Sequence, residues 1–197
     1  MKKFILGVLS LFSLSYASNI EDIQRFASNL NEVKSAINKV KAEEAFINVC
    51  EYEPNECKNI VSKLYKKFKN SNKYKLYLYY IALTETELKH RQGLTDKDDI
   101  SFFQINFKNK FVRYLAKKYK KTKEQLKYDT FTSSKIALSV LIMNTYYFMK
   151  TNKTKNFDDK IILSTYHRPF YIDKDYYKKV SYIQDKYRII FLSEKDF

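Results

Sequence analysis

The chain has 197 residues and a formal net charge of +15, from 37 Lys and Arg against 22 Asp and Glu. It contains 45% hydrophobic residues but only two Gly and two Pro. Because hairpins and tight turns depend on Gly and Pro, this composition excludes a mostly β fold and predicts an all-α protein. The length suffices for one domain with a sizeable core.

The first residues have the pattern of a secretory signal peptide. Lys2 and Lys3 form a basic start, residues 4–14 are an apolar run, and Ala17 ends a small-x-small cleavage motif. The alternative is an uncleaved anchor, which the run is too short to form by itself. We therefore predict a signal peptide over 1–17, an N-terminal helical region over 18–72 and the main helical domain over 73–197.

Cys50 and Cys57 both fall in the part of the chain that we expect to be exported. In an oxidising compartment, with Pro54 turning the chain between them, the pair predicts a local disulfide. Only His90 and His167 would be available as further nitrogen ligands. We therefore expect neither a metal site nor a cofactor.

The excess of basic residues bears on the partner. Removal of Lys2 and Lys3 with the signal lowers the charge from +15 to +13 (15 − 2). Such a charge favours polyanions, and for an exported protein we expect cell-wall polymer rather than nucleic acid. The alternative is compositional, since Lys, Asn, Ile, Tyr and Phe are the residues of AT-rich codons. A nucleic-acid binder would need a clustered basic face, which the scattered lysines do not provide.

Apolar residues at helical spacing predict a series of helices. The first starts after Asn19 and continues to about Val49; the second carries Ile60, Leu64 and Phe68 inward; the third is buried and covers 76–88. The next are an amphipathic helix over 107–119, a short turn capped by Thr122, and a long apolar helix over 136–149 that starts at Ser133 or Ser134. The last two are a helix over 157–165 capped by Asn156 and one from Tyr176 to about Ile190, opened by Asp173.

The third helix carries the candidate catalytic residue. Its apolar run is unbroken from 76 to 83, which predicts burial on all sides. One stripe of it contains Leu78, Ile81, Ala82, Glu85 and Leu88. A carboxyl in an apolar stripe is costly unless it is paired or protonated, so burial should raise its pKa. We select Glu85 as the acid; the alternative is a structural carboxyl bonded to a backbone amide or a tyrosine.

Three segments resemble the signatures of the SLT-type lytic transglycosylases, which share the goose-lysozyme-like helical fold. Ile81-Ala82 and then Glu85-Thr86 are similar to the family's Ile-Ala and catalytic Glu-Ser. Residues 101–105 (Ser-Phe-Phe-Gln-Ile) resemble its Gly-Leu-Met-Gln-Ile, and residues 165–169 (Thr-Tyr-His-Arg-Pro) resemble its Ala-Tyr-Asn-Ala-Gly. The resemblance covers about residues 74–187.

The resemblance implies a single lysozyme-like domain and a peptidoglycan lytic transglycosylase of the Gram-negative periplasm. In that family one glutamate protonates the oxygen of the MurNAc-β-1,4-GlcNAc bond and then takes a proton from the C6 hydroxyl, leaving 1,6-anhydroMurNAc. The catalytic residue would be Glu85. The implied substrate-binding residues are Ser101, Phe103, Gln104, Asn106 and Tyr166. We expect a monomer acting on glycan strands, with a secretion or motility apparatus as a possible further partner.

Two other interpretations stay open. A muramidase that hydrolyses the same bond would need a second carboxylate, which Asp98 or Asp99 could supply if they are not loop caps. A glycan-binding protein on a decayed enzyme fold is supported by Ser101 and by Arg168-Pro169, where the family has Gly and Ala-Gly.

Four further side chains have open roles. Glu87 lies two residues after Glu85, on another side of the helix, and is expected to be a solvated charge. Tyr166 could orient Glu85 through its hydroxyl or be one more core aromatic. His90 and His167 are expected to be incidental.

Overall fold

The structure of the protein is a computed structural model that describes residues 20–60, 64–69, 71–154, 158–170 and 172–186. It is mostly helical, as the scarcity of Gly and Pro predicts. None of the helices in those ranges is long and apolar enough to cross a membrane. The predicted signal peptide, residues 1–17, lies outside the described residues.

Ten helices and one short antiparallel strand pair are described. The helices are α1 (Ile20–Asn38), α2 (Ala42–Tyr52), α3 (Cys57–Ile60), α4 (Lys66–Lys69), α5 (Lys73–Thr86), α6 (Lys110–Lys118), α7 (Lys123–Tyr128), α8 (Thr130–Thr151), α9 (Asp159–His167) and α10 (Lys174–Lys186). The strands, β1 (Asp99–Ile100) and β2 (Ile105–Asn106), lie between α5 and α6.

The long apolar helix α8 forms the centre of the core. It packs against α1, α2, α5, α6, α7 and α9, and its Leu138, Leu141 and Ile142 are fully buried. Helix α5 is buried on nearly all sides, as its unbroken apolar run predicts, and packs against α1, α8 and α10. The end of α5, which carries Glu85, is therefore held between helices from both ends of the chain.

The first predicted helix is two helices, so the prediction of one helix to about Val49 is wrong. Helix α1 ends in a turn in which the Val40 amide donates to the Ile37 carbonyl at 3.0 Å. The Val40 carbonyl accepts a hydrogen bond from the Tyr74 hydroxyl at 3.1 Å. This turn lets α2 fold back onto α8. Apolar periodicity does not reveal it, because buried residues continue at helical spacing across the break.

Two helix starts also differ from the predictions, because carboxylates cap them. Helix α8 begins at Thr130 rather than near Ser133, since the Asp129 carboxylate accepts from the Thr132 amide at 2.9 Å. Helix α9 is capped by Asp158, and the predicted cap at Asn156 lies outside the described residues.

Other boundaries follow the predictions. Thr122 caps α7 in a capping box, and Asp173 precedes α10. The amphipathic helix predicted over 107–119 is α6 and is shorter, because Asn109 caps it. The predicted second helix contains the short helices α3 and α4, with Leu64 and Phe68 buried as expected.

The predicted disulfide is confirmed. Cys50, near the end of α2, is bonded to Cys57, at the start of α3, with the Cα atoms 4.6 Å apart. A 3₁₀ turn over Pro54–Glu56 connects the two helices. The bond fastens the corner between α2 and α3.

Candidate active site

A cavity of about 550 Å³ opens beside the last turn of α5. Its volume is in the range of ordinary ligand sites. The wall is built by α5, the loop after it, the strand pair, and parts of α6, α8 and α9. The polar side chains on it include Glu85, His90, Asp99, Gln104, Asn106, Asn109, Asn144, Tyr166 and His167. Residues far apart in sequence thus converge on one concave surface.

Glu85 lies on the wall of this cavity, one residue before the end of α5. Burial raises the pKa of its carboxyl above the ordinary value, and the charge of Asp99 acts in the same direction. The contact with the Tyr176 hydroxyl and the charges of Lys179 and His167 oppose the rise. A carboxyl that stays protonated closer to neutral pH is what a general acid requires.

The chain turns sharply after Glu85. Glu87 and Leu88 have φ of 46° and 59°, in the left-handed region, so the helix cannot continue. The Thr86 hydroxyl donates to the Ala82 carbonyl at 3.0 Å and accepts from the Leu88 amide at 3.1 Å. Thr86, which stands where the resembled family has serine, therefore fixes the helix end and with it the position of Glu85.

The strand pair holds the second predicted segment. Asp99 faces Asn106, and Ile100 faces Ile105, across the two strands. In the connecting turn Gln104 has φ of 47° and donates from Nε2 to the Ser101 carbonyl at 2.7 Å. The turn places Gln104 and Asn106 on the cavity wall, where the sequence predicted glycan-binding residues.

Two predicted binding residues do not reach the cavity. Ser101 and Phe103 are both fully buried in the core. The Ser101 hydroxyl oxygen accepts from the Phe103 amide at 3.2 Å, which turns the serine back into the protein. The prediction of direct substrate contact by these two residues is therefore corrected: they support the turn that presents Gln104.

Tyr166 lies on the wall but does not bond Glu85. Its hydroxyl donates to the Phe103 carbonyl at 2.6 Å, so it anchors the turn. Its own carbonyl accepts from Asn144 Nδ2 at 3.2 Å. The idea that its hydroxyl orients Glu85 is therefore wrong, although the charge of Glu85 contributes to raising the pKa of Tyr166.

Sequence reasoning missed Tyr176, which interacts with Glu85 from α10. Its hydroxyl is buried, and none of the described residues is placed to form a hydrogen bond with it. Its contact with the Glu85 carboxyl nevertheless lowers the pKa of Glu85, and the Glu85 charge helps to raise the pKa of Tyr176. No local pattern marked this residue among 18 tyrosines.

The structure separates the two candidate second carboxylates. Asp98 bonds Lys123 Nζ at 2.5 Å and lies 3.3 Å from Lys108 Nζ, and these contacts hold its pKa below the ordinary value. Asp99 lies on the cavity wall, accepts from Asn106 Nδ2 at 2.7 Å, and has a pKa that burial raises. Asp99 is therefore the carboxyl that shares the cavity with Glu85.

Of the remaining charged candidates, two line the cavity and one does not. Glu87 caps the end of α5, lies 3.4 Å from Lys89, and is not among the cavity-lining residues. His90 and His167 both line the cavity, which the sequence did not suggest.

No group of three or more His, Cys, Asp or Glu that could hold a metal ion occurs within the described part of the chain.

In comparisons with known proteins, no family model, no curated protein and no solved structure matches this chain.

Proposed function

We propose that the protein is a peptidoglycan lytic transglycosylase that cleaves the MurNAc-β-1,4-GlcNAc bond with Glu85 as acid and then base. The observation that carries the proposal is a glutamate with a raised pKa on the wall of a polar cavity, within segments that resemble the SLT signatures. The proposal includes a lysozyme-like domain over 73–197 behind an N-terminal helical region over 18–72.

The chemistry needs one residue that first gives and then recovers a proton. Protonated Glu85 donates to the bridging oxygen as the bond from that oxygen to C1 breaks, assisted by the sugar's own acetamido group. In that step the acetamido oxygen bonds to C1. The Glu85 carboxylate then takes the proton of the C6 hydroxyl, whose oxygen bonds to C1 as the bond from C1 to the acetamido oxygen breaks. The product is a 1,6-anhydro sugar, water does not enter, and Glu85 ends protonated.

The surroundings of Glu85 suit both halves of this cycle. Burial favours the protonated acid at the start. The Tyr176 hydroxyl and the positive charge of Lys179 favour the carboxylate that exists between the two steps. Burial is the larger effect, so the pKa of Glu85 stays raised, while the opposing contacts limit how far it rises.

Amide side chains on the wall suit a glycan. Gln104, Asn106 and Asn144 offer both donors and acceptors, which match the hydroxyl and acetamido groups of amino sugars. Gln104 is held by its bond to the Ser101 carbonyl, and Asn106 by its bond to Asp99. Fixed polar groups of this kind bind substrate with less loss of side-chain entropy.

Export to the periplasm is part of the proposal. The Cys50–Cys57 disulfide is compatible with an oxidising compartment. The positive charge of the chain favours approach to the carboxylates of peptidoglycan stem peptides. A monomer acting on glycan strands, alone or beside a secretion or motility apparatus, fits these properties.

Asp99 favours a second candidate, a muramidase. A second carboxyl in the same cavity as the acid could support hydrolysis of the same bond. The Asp99→Asn variant separates the two reactions. If the protein is a transglycosylase, the variant should still release 1,6-anhydro products; if it is a muramidase, the variant should lose the reducing-end products that the wild type makes.

The test of Glu85 is its replacement by Gln, which keeps the shape but cannot exchange a proton. Release of 1,6-anhydromuropeptides from purified peptidoglycan, followed by mass spectrometry, should fall by at least about 10²–10⁴-fold. The matched control is Glu87→Gln, two residues along, which should retain activity because Glu87 is not on the cavity wall. Full activity of Glu85→Gln, or equal loss in both folded variants, would refute the assignment.

A further inference from the structure

His167 is held beside the cavity by a carboxylate. It is the last residue of α9, lines the cavity, and keeps 47% of its side chain exposed. Its Nδ1 lies 2.8 Å from Asp173 Oδ2. The imidazole plane stacks on the Tyr176 ring at 5.2 Å between centroids and 5° between planes. The ring is thus fixed from two sides while one edge stays accessible.

The position of Asp173 determines which nitrogen of His167 carries a proton. Asp173 Oδ1 accepts from the Tyr176 amide at 2.9 Å and from the Asp175 amide at 3.1 Å, at the start of α10. The bond from the Tyr176 amide is the main reason why the pKa of Asp173 is lowered, so Asp173 is a carboxylate that can only accept. The Nδ1 atom must then be the donor, and in the neutral ring Nε2 is left as an acceptor.

We propose that His167 is a substrate-contacting residue, which accepts a hydrogen bond at Nε2 from a hydroxyl of a bound N-acetylhexosamine. The proposal rests on the proposed function in naming the ligand as a glycan. Asp173 is its positioning residue, because it fixes the tautomer and the orientation of the ring. In the motif that residues 165–169 resemble, this position is Asn.

Several charged groups surround this part of the cavity. Glu85 from α5 and Asp99 from β1 both interact with the charge of His167. Lys179 from α10 acts on Glu85 as well, and Arg168 Nε lies 3.7 Å from Asp173. His167 thus lies among charges of both signs.

Three variants separate the parts of this contact. His167→Asn places an amide donor near the position of Nδ1, so it keeps the bond to Asp173 but has no group at the position of Nε2. His167→Gln extends an amide oxygen towards the position of Nε2 and should recover part of the binding. Asp173→Asn keeps an oxygen for the two backbone amides but presents an NH2 donor to Nδ1 in place of the acceptor. Its matched control is Asp175→Asn, whose side chain is 92% exposed and which should behave as wild type.

The probe is a GlcNAc tetramer. Because the chain has two histidines, long-range proton–nitrogen spectra contain two imidazole systems, and His167→Asn assigns them. Saturation with the tetramer should shift the Nε2 resonance of His167 more than its Nδ1 resonance. The tetramer should bind His167→Asn roughly 3- to 10-fold more weakly, the effect of losing one neutral hydrogen bond.

An unmoved Nε2 resonance, or wild-type affinity in His167→Asn, would overturn the role of His167. If His167→Asn also cleaves peptidoglycan with wild-type kcat/KM, the proposed function survives and only this inference fails. If the tetramer shifts Nε2 but the wild type releases no product, the enzyme proposal fails and the contact stands. Absence of both binding and cleavage refutes both.

Discussion

Replacing Glu85 by Gln should stabilise the protein by an amount that grows with pH. Below the ordinary carboxyl pKa of 4.5, Glu85 is protonated in the folded and the unfolded chain, so the wild type and the variant differ little. Above it, the unfolded chain loses the proton while burial keeps it on the folded one. The wild type therefore loses stability as pH rises through the raised pKa, and the neutral Gln does not.

The size of this effect measures how strongly the site holds the proton. Each tenfold difference in proton affinity between folded and unfolded chains corresponds to about 1.4 kcal/mol of unfolding free energy. Urea unfolding followed by circular dichroism, from about pH 4 to about pH 8, would give the difference between variant and wild type at each pH. That difference should rise with pH and level off above the pKa of folded Glu85.

Asp98 provides a control of opposite sign. Its bonds to Lys123 and Lys108 lower its pKa, so its contribution to stability is present above the ordinary pKa of aspartate and is lost as pH falls. Asp98→Asn should therefore fall further below the wild type as pH rises. A Glu85→Gln difference that does not change with pH, or that changes in the same direction as Asp98→Asn, would refute the burial of an ionisable Glu85.

Two other replacements test interactions that stabilise the fold. Changing Cys50 and Cys57 to Ala should lower the unfolding free energy by about 2–3 kcal/mol, the value for closing a short loop; an unchanged urea midpoint would contradict this. Arg91, which bonds Glu32 at 2.7 Å and lies 3.9 Å from the centre of the Phe102 ring, ties the loop after α5 to α1. Arg91→Met should cost about 1–3 kcal/mol and speed amide exchange in that loop, whereas unchanged exchange would show that the tie is not needed.

Apolar runs and capping residues predicted the helices correctly where no contact with a distant residue changed the local structure. The unbroken run over 76–83 predicted the buried helix α5, and Thr122 predicted the start of α7. The break at Val40 was missed because it depends on a carbonyl bonded by Tyr74 from another helix. The early start of α8 was missed because a carboxylate cap at Asp129 outweighs the weaker helix preference of the residues after it.

The residues of the candidate site also differ in whether a local sequence signal could identify them. Glu85, Gln104 and Asn106 lie in two nearby segments, and the order of residues in these segments was enough to identify them as candidates. All three line the cavity. Tyr176 and His167 come from α10 and the end of α9, and only packing brings them to Glu85. The apolar stripe that contains Glu85 predicts that its carboxyl is buried, but it does not specify which distant side chains surround the carboxyl.

The backbone at Ser101 bears on whether the fold is that of an enzyme or of a binding protein. Ser101 has φ of 66°, a conformation that suits the glycine of the resembled family and costs a serine about 1–2 kcal/mol. Its bond from the Phe103 amide offsets part of that cost, and its side chain is fully buried. The serine therefore does not narrow the cavity, and it no longer supports a decayed site. Pro169 still lines the cavity, so the remaining argument for a binding protein rests on Arg168-Pro169.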